Sequence, residues 1–166
     1  MMNKKNESQS LYALDMKRNP NAGLYVRMYL WSFRNSNSFI GELLHKILSM
    51  MKGVEIPVEC RIGGGIYLGH VWGITVHPQA ILGANVNLHK GVTIGAENRG
   101  KRKGAPTIGN NVWIGINATI VGAIHIGDDV LIAPNCYVNC DVPSHSIVFG
   151  NPCVIKPKSH ATEGYI

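Results

Sequence analysis

The chain has 166 residues, a length that predicts one domain with a modest attachment. Its formal net charge of +6 favours anionic partners, such as a phosphorylated cofactor, an acidic polymer or an anionic membrane surface. The sequence contains no recognised nucleic-acid-binding module, so a nucleic acid is not an expected partner. No apolar run reaches the roughly 18 residues that a membrane-spanning helix needs.

The cysteines and the first residues of the chain predict a reduced protein in the cytoplasm. The cysteines are Cys60, Cys136, Cys140 and Cys153. They form neither a CxxC pair nor a zinc-binding spacing with histidine. The first ten residues are polar and lack the apolar core of a signal peptide, so we expect a cytoplasmic location.

Residues 1–52 are predicted to form an N-terminal helical segment. Its first ten residues are polar and are expected to be disordered. Helices are expected over residues 11–18, 22–34 and 39–51. The last of them follows an Asn-Ser-Asn-Ser turn, in which Ser38 is a candidate N-cap.

Two roles remain open for these helices. They pack on the following domain or on a neighbouring subunit, or they attach to a membrane surface through Trp31, Phe33 and flanking cations. The two roles are compatible with each other. His45 is expected on the polar side of the last helix.

An aliphatic residue returns every six residues through the centre of the chain. The series is Ile62, Leu68, Ile74, Leu82, Leu88, Ile94, Ile108, Ile114, Ile120, Ile126, Ile132 and Val138. A six-residue period fits a chain that makes a short strand and then turns onto the next face of a prism. It predicts an all-β solenoid, the hexapeptide form of the parallel β-helix, over residues 53–158, followed by a frayed tail at residues 159–166.

The period is interrupted twice. Ile74 and Leu82 are eight residues apart rather than six, and we assign the two extra residues to the region of His77-Pro78. A polar, basic stretch separates Ile94 from Ile108 and predicts a loop extruded from the solenoid. Such a loop is either a binding face or a merely solvated basic segment.

His70 is the candidate general base. It lies outside the core pattern, beside Gly69, and histidine takes up a proton near neutral pH. A second group usually orients such a base, and Glu55 precedes His70 by slightly less than the length of one coil. A metal site is not expected, because the separations of His70, His77 and His89 along the chain do not justify a set of three ligands.

Three motifs resemble the serine O-acetyltransferase family, in particular its short members in capsule and exopolysaccharide gene sets. They are EIPVECRIGGGIYLGH at residues 55–70, LHKGVTIG at residues 88–95 and TIGNNVWIG at residues 107–115. The resemblance implies a left-handed β-helix, although crossovers are usually right-handed, and a homotrimer with active sites in grooves between subunits. It also implies acetyl-CoA as the donor, His70 as the catalytic base and Glu55 as the acid that orients it.

The resemblance also places the co-substrate. The residues expected by position to line the pantetheine groove of acetyl-CoA are Gly95, Ala96, Ile116 and Ala133. Lys156 and Lys158 are expected at the phosphates of CoA from their charge alone. Cations of the loop at residues 99–103 are the alternative for the phosphates. No metal and no acyl-enzyme is expected, because the base acts directly on the acceptor hydroxyl.

Three positions depart from the family pattern and bear on the acceptor. Gly69 stands where the serine enzymes have an aspartate for the substrate amine, and Gly104 and Ala105 stand where they have an Arg-His pair near the carboxylate. A neutral sugar hydroxyl does not need these charges. The first expectation is therefore an O-acetyltransferase that acts on a sugar or a surface-polysaccharide unit. The alternatives are a serine O-acetyltransferase and a non-catalytic trimeric scaffold.

Overall fold

The N-terminal segment is helical from its first described residue. The computed structural model describes residues 4–166, with side chains from residue 6 onward. Within that range three helices precede the strands: α1 (Lys4–Arg18), α2 (Leu24–Arg34) and α3 (Phe39–Lys52). The expected disorder of residues 4–10 is wrong, and residues 1–3 lie outside the described residues. Glu7 in the first turn of α1 and Lys17 in its last turn both complement the helix dipole.

α3 has the ends that its sequence predicts. The Ser38 hydroxyl accepts a hydrogen bond from the Gly41 N–H at 3.1 Å, which confirms the expected N-cap. Gly53 ends the helix with a left-handed φ of 58°, a conformation that glycine adopts without steric cost. None of the helices in the described part of the chain is long and apolar enough to cross a membrane.

Fourteen short strands follow α3 within the described residues. Thirteen of them build a three-faced parallel β-helix, and the last pairs antiparallel with the strand before it. They are β1 (Arg61–Ile62), β2 (Tyr67–Gly69), β3 (Thr75–Val76), β4 (Ile81–Leu82), β5 (Asn87–His89), β6 (Thr93–Gly95), β7 (Thr107–Ile108), β8 (Val112–Ile114), β9 (Thr119–Val121), β10 (His125–Ile126), β11 (Val130–Ile132), β12 (Tyr137–Val138), β13 (Ser146–Phe149) and β14 (Val154–Pro157). The first face contains β1, β4, β7 and β10. The second contains β2, β5, β8, β11, β13 and β14, and the third contains β3, β6, β9 and β12. The left-handed solenoid has about 5 coils and confirms the predicted fold class.

Stacked aliphatic side chains fill the inside of the prism. On the first face Leu82, Ile108 and Ile126 pair in register on successive coils, and all three are buried. The other two faces repeat this arrangement. Each such side chain contributes about 1.5–3 kcal/mol on burial, so the repeated column is the main source of stability. The six-residue period of the sequence arises because one residue in six joins this column.

The first irregularity of the period lies at His70. Tyr67 of β2 pairs with Asn87 of β5, and Thr75 of β3 pairs with Thr93 of β6. The chain from β2 to β3 is therefore longer by two residues than the chain from β5 to β6. The extra residues lie in the corner formed by residues 70–73, and their assignment to His77-Pro78 is wrong. Val76, rather than Ile74, occupies the inward strand position, because Val76 pairs in register on the next coil.

The basic stretch between β6 and β7 is an extruded loop, as predicted. Glu97 and Gly104 exchange two backbone hydrogen bonds across its base, at 3.0 and 2.9 Å. The carbonyl of Arg102 accepts a further bond from the Ala123 N–H at 2.8 Å. These bonds hold the loop against the solenoid and leave its charged tip exposed.

An ion pair between Asp15 and Arg34 covers the open edge of the first coil. Arg34 Nε donates to Asp15 Oδ2 at 2.8 Å, and both side chains are almost completely buried. Asp15 Oδ1 also accepts from the backbone N–H groups of Gly65-Ile66, and Arg34 donates to the carbonyls of Ile62-Gly63. Backbone groups at a buried edge need such partners, and here helix side chains supply them.

Tyr29 and His45 form hydrogen bonds with backbone carbonyls of the segment just before the first coil. The Tyr29 hydroxyl donates to the Val54 carbonyl at 3.0 Å, and His45 Nε2 donates to the Ile56 carbonyl at 2.8 Å. His45 is buried, so its expected place on the polar side of α3 is wrong, and burial lowers its pKa. Phe33 is also buried, which removes it from the proposed membrane contact.

The C-terminal tail is docked rather than frayed. The Asp129 carboxylate accepts hydrogen bonds from the Ala161 and Thr162 N–H groups, from the Thr162 hydroxyl at 2.7 Å, and from the His145 ring at 2.8 Å. Burial acts to raise the pKa of Asp129, but these hydrogen bonds outweigh it and hold the pKa far below its usual range. The tail therefore has a specific anchor on the solenoid.

We expect Asp15→Asn to destabilise the protein by about 3–5 kcal/mol, because it leaves the buried Arg34 guanidinium without an anionic partner. The urea midpoint of unfolding, followed by circular dichroism, measures this loss. Glu7→Gln removes an exposed carboxylate from the same helix and is expected to change stability by less than about 0.5 kcal/mol. Equal midpoints for the two variants would contradict a stabilising role for the ion pair.

Candidate active site

His70 lies at the widened corner between the second and third faces. It follows β2 directly, has a φ of 51° and exposes its side chain. A left-handed backbone is uncommon for histidine, and the two extra residues of this corner accommodate it. The ring lines a groove of about 520 Å³ between the corner and the connection from α1 to α2. A base at this position is accessible to a substrate.

Glu55 lies just before the first coil and is exposed. Its N–H donates to the Ile74 carbonyl at 2.7 Å, and its carbonyl accepts from the Val76 N–H at 2.8 Å. Within residues 6–166, no ion pair joins its carboxylate to His70, and the two side chains line different cavities. The orienting role of Glu55 stays a prediction, since a single protomer does not form the contact.

The ring of His89 fills the space beside Gly69. The two residues pair in register on neighbouring coils, and a Cβ atom on Gly69 would lie 2.5 Å from His89 Nδ1. The ring is packed between those of Tyr67 and Trp113, with centre-to-centre distances of 5.9 and 4.8 Å, and lies 6.4 Å from His70. An aspartate at position 69 therefore has no room unless the His89 ring moves.

The environment of His89 favours a neutral ring. Burial lowers the pKa of His89, and the nearby His70 lowers it further. Its Nε2 is buried and has no hydrogen-bond partner within the described residues. The ring therefore provides a hydrogen-bond donor and an acceptor beside position 69, but not the negative charge that an aspartate would offer to an amine.

The expected acetyl-CoA groove is divided between two corners. Ile116 and Ala133 follow β8 and β11, at the same corner as His70 but on later coils. Gly95 and Ala96 lie at the corner between the third and first faces, where the extruded loop begins. The four residues therefore do not line a single corner of one protomer.

The extruded loop leaves the solenoid at the corner of Gly95 and Ala96, so its residues belong to that corner as well. Gly104 and Ala105 lie at the end of the loop, so the positions where the resemblance expects an Arg-His pair belong to a different corner from His70. Arg102 Nε pairs with Glu97 at 3.1 Å, whereas Arg99 is exposed at the tip.

The two C-terminal lysines lie at the end of the second face. Lys156 is in β14, where its Nζ lies 5.5 Å from the centre of the Phe149 ring, and Lys158 follows that strand. Both are exposed. Their contact with the phosphates of CoA stays a prediction.

Two cations that sequence reasoning missed line the groove beside His70. They are Arg18 at the end of α1 and Lys52 at the end of α3. No motif connects them with His70, because only the docking of the helices on the first coil brings these parts of the chain together. The sequence shows that both residues are cationic, but it does not show that they lie beside His70.

Comparison with known families identifies the repeat. The family model described as bacterial transferase hexapeptide (six repeats) matches residues 105–140. A serine acetyltransferase of Helicobacter pylori is 35% identical over 113 residues, which cover 68% of this chain and 66% of the relative. Serine acetyltransferase 2 of Arabidopsis thaliana is 35% identical over 123 residues, 74% of this chain but 38% of the relative. The chain thus spans two thirds or less of these relatives.

Solved structures give the same result. A serine acetyltransferase of Neisseria gonorrhoeae in complex with serine has a TM-score of 0.74 and 26% identity, covering 91% of this chain and 69% of that one. The soybean apoenzyme has a TM-score of 0.73 and 27% identity, covering 90% and 69%. Fold and repeat define a hexapeptide-repeat protein. Within that class, the chain belongs to the serine O-acetyltransferase family.

We expect Gly69→Asp to lower stability by about 1–3 kcal/mol, because the new side chain overlaps the packed His89 ring. Thermal unfolding measures the effect. Gly23→Asp is the matched control, since a Cβ atom at Gly23 meets nothing within 4 Å and an aspartate suits the N-cap of α2. In a His89→Ala background the cost of Gly69→Asp should fall, and an equal cost in both backgrounds would contradict the overlap.

Proposed function

We propose that the protein transfers an acetyl group from acetyl-CoA to an acceptor hydroxyl, with His70 as the general base. The observation that supports this most is the position of His70. The ring is exposed at a widened corner of a rigid coil, in a groove of about 520 Å³, and lies in the motif shared with the family. A rigid support of this kind holds a base at a fixed depth against its substrate.

The reaction combines one acyl transfer with two proton transfers, the first to His70 and the second from it. A His70 ring nitrogen takes the proton of the acceptor hydroxyl as the oxygen attacks the thioester carbonyl carbon of acetyl-CoA. The tetrahedral intermediate then breaks its carbon–sulfur bond. The leaving CoA sulfur takes the proton from the imidazolium, which yields the acetyl ester and free CoA thiol. Backbone N–H groups of a neighbouring coil stabilise the oxyanion, and no acyl-enzyme forms.

The complete site belongs to an assembly of protomers. His70, Ile116 and Ala133 lie at one corner of the prism, and Gly95 and Ala96 lie at another. A homotrimer that places these two corners of neighbouring protomers side by side forms one continuous groove for acetyl-CoA. Glu55 is proposed to orient the His70 ring in that assembly and to stabilise its protonated form.

L-Serine is the acceptor that the comparisons favour. Both the Helicobacter pylori relative and the Arabidopsis thaliana relative are named serine acetyltransferase, and the Neisseria gonorrhoeae structure contains serine. We therefore place serine ahead of the sugar acceptor that the sequence first favoured, because none of these comparisons supports a sugar.

A neutral sugar hydroxyl is the second candidate. It rests on one observation, the His89 ring that occupies the place of the aspartate side chain beside Gly69. An ammonium group at this place would meet a neutral ring instead of a carboxylate, and a sugar hydroxyl has no such requirement.

Release of CoA thiol from acetyl-CoA tests the proposal. Incubation with L-serine, with a panel of sugars and with buffer alone separates the alternatives. Release that depends on serine supports the first candidate, and release that depends only on a sugar supports the second. A protein that binds no acetyl-CoA would contradict both and would support a non-catalytic scaffold.

We expect His70→Ala to lower kcat by a factor on the order of 10² to 10⁴, because the acceptor hydroxyl loses its general base. The rate of thiol release with the preferred acceptor measures the loss. His125→Ala removes an exposed histidine from β10 and should leave the rate unchanged. A His70→Ala protein with its fold intact and nearly full activity would remove His70 from the mechanism.

We expect Glu55→Gln to lower kcat by less than His70→Ala does, while the KM for acetyl-CoA stays unchanged. The amide still fills the position of the carboxylate but no longer stabilises the imidazolium. Glu59→Gln is the control, since Glu59 is exposed in the same connecting segment and lines the same cavity as Glu55. Equal kcat values for Glu55→Gln and Glu59→Gln would exclude Glu55 from the site.

A further inference from the structure

The groove beside His70 has an unusual distribution of charge. The charged or titratable groups that line it include Arg18, Lys52 and His70, and no aspartate or glutamate of the described residues lines it. A concave site with charges of one sign concentrates ligands of the opposite sign. This groove therefore favours a ligand that carries an anionic group.

Arg18 is held in place but not neutralised. Its Nη2 donates to Oδ1 of Asn87, and Asn87 is itself buried and donates to the Tyr165 carbonyl at 3.1 Å. Arg18 Nε is buried without a partner, and the side chain forms no ion pair within the described part of the chain. Burial lowers the pKa of Arg18, with a smaller opposing influence from Tyr67. The guanidinium has thus lost part of its contact with water without gaining an anion, so a carboxylate that reaches it gains a charge-assisted interaction.

Lys52 adds a second positioned cation. Its Nζ lies 4.6 Å from the centre of the Tyr25 ring, a distance at which an ammonium is attracted to the aromatic face. The Tyr25 hydroxyl donates to the Leu48 carbonyl at 2.8 Å, which fixes the ring on the helical wall of the groove. Both cations are therefore placed by helices packed on the first coil and not by a loop.

We propose that Arg18 and Lys52 form an acceptor subsite that binds a carboxylate, while a hydroxyl of the same molecule lies at His70. This inference rests on the proposed acetyl transfer and names the class of its acceptor. A guanidinium binds a carboxylate with two parallel hydrogen bonds, which fixes the orientation of the acceptor as well as its position. The subsite supplies the positive charge that Gly104 and Ala105 do not provide.

Two kinds of acceptor share the required chemistry. L-Serine carries its carboxylate two carbons from the hydroxyl oxygen, and a sugar acid carries hydroxyl groups at comparable distances. Each has a counterpart of nearly the same shape in which an uncharged group replaces the carboxylate: L-serinamide, which keeps the amine, for serine, and glucose for glucuronic acid. The two pairs separate an amino acid acceptor from a sugar acid in one set of measurements.

The test compares these acceptors with three variants by steady-state release of CoA thiol. Arg18→Gln and Lys52→Met remove the proposed cations, and Lys17→Gln removes an exposed cation from the neighbouring position of α1. We expect Arg18→Gln to raise the KM for the carboxylated acceptor on the order of tenfold to a hundredfold, with a smaller increase for Lys52→Met. The KM for acetyl-CoA and the activity of Lys17→Gln should be unchanged, and Arg18→Lys should recover part of the loss.

Two results would overturn the subsite. An increase in the KM for acetyl-CoA instead of the acceptor would assign the cations to the phosphates of CoA. Equal losses with serine and serinamide, or with glucuronic acid and glucose, would show that Arg18 acts on the fold alone.

A binding measurement separates this inference from the proposed reaction. Serine or glucuronate should raise the melting temperature of the wild type and of Lys17→Gln but not that of Arg18→Gln, because a ligand stabilises the state that binds it. A carboxylate-dependent shift without thiol release would retain the subsite and contradict the acetyl transfer. Thiol release that is equally fast with acceptors lacking the carboxylate would retain the transfer and contradict the subsite.

Discussion

The open edge of the first coil is the constraint on which the rest of this structure depends. A coil in the middle of the solenoid pairs its backbone with coils on both sides, but the first coil has a neighbour on one side only. Asp15 and Arg34 take the place of the absent neighbour and bind backbone groups of residues 62–66. Because a buried backbone group without a partner is costly, the helices must dock where these bonds are possible.

That docking also shapes the candidate active site. Asp15 and Arg18 lie one turn apart on α1, so the helix that covers the coil edge also directs a cation toward the groove of His70. The connection from α1 to α2 forms the remaining wall. A single packing arrangement thus stabilises the fold and encloses the space beside the base. The chemistry of the groove is a consequence of how the solenoid edge is covered.

The rigidity of the prism has a second consequence. Equivalent corners of successive coils lie above one another along the axis of the prism. A side chain at one corner therefore has the side chains of the same corner on the next coils as its neighbours. His70 and Gly95 therefore belong to different corners of the same protomer. In the proposed homotrimer, groups from two corners of neighbouring protomers contribute to one groove, and the family resemblance points to the same arrangement.

The sequence by itself determined the solenoid, the extruded loop and the candidate base. A six-residue period identifies most of the side chains that face inward, and these form the core of the solenoid. Only the tertiary structure located the two extra residues at the corner of His70, buried His45, docked the tail on Asp129 and placed the His89 ring beside Gly69. It also brought Arg18 and Lys52 to the groove. The physical reason is that outward side chains meet across coils and across docked helices, at separations along the chain that no local pattern encodes.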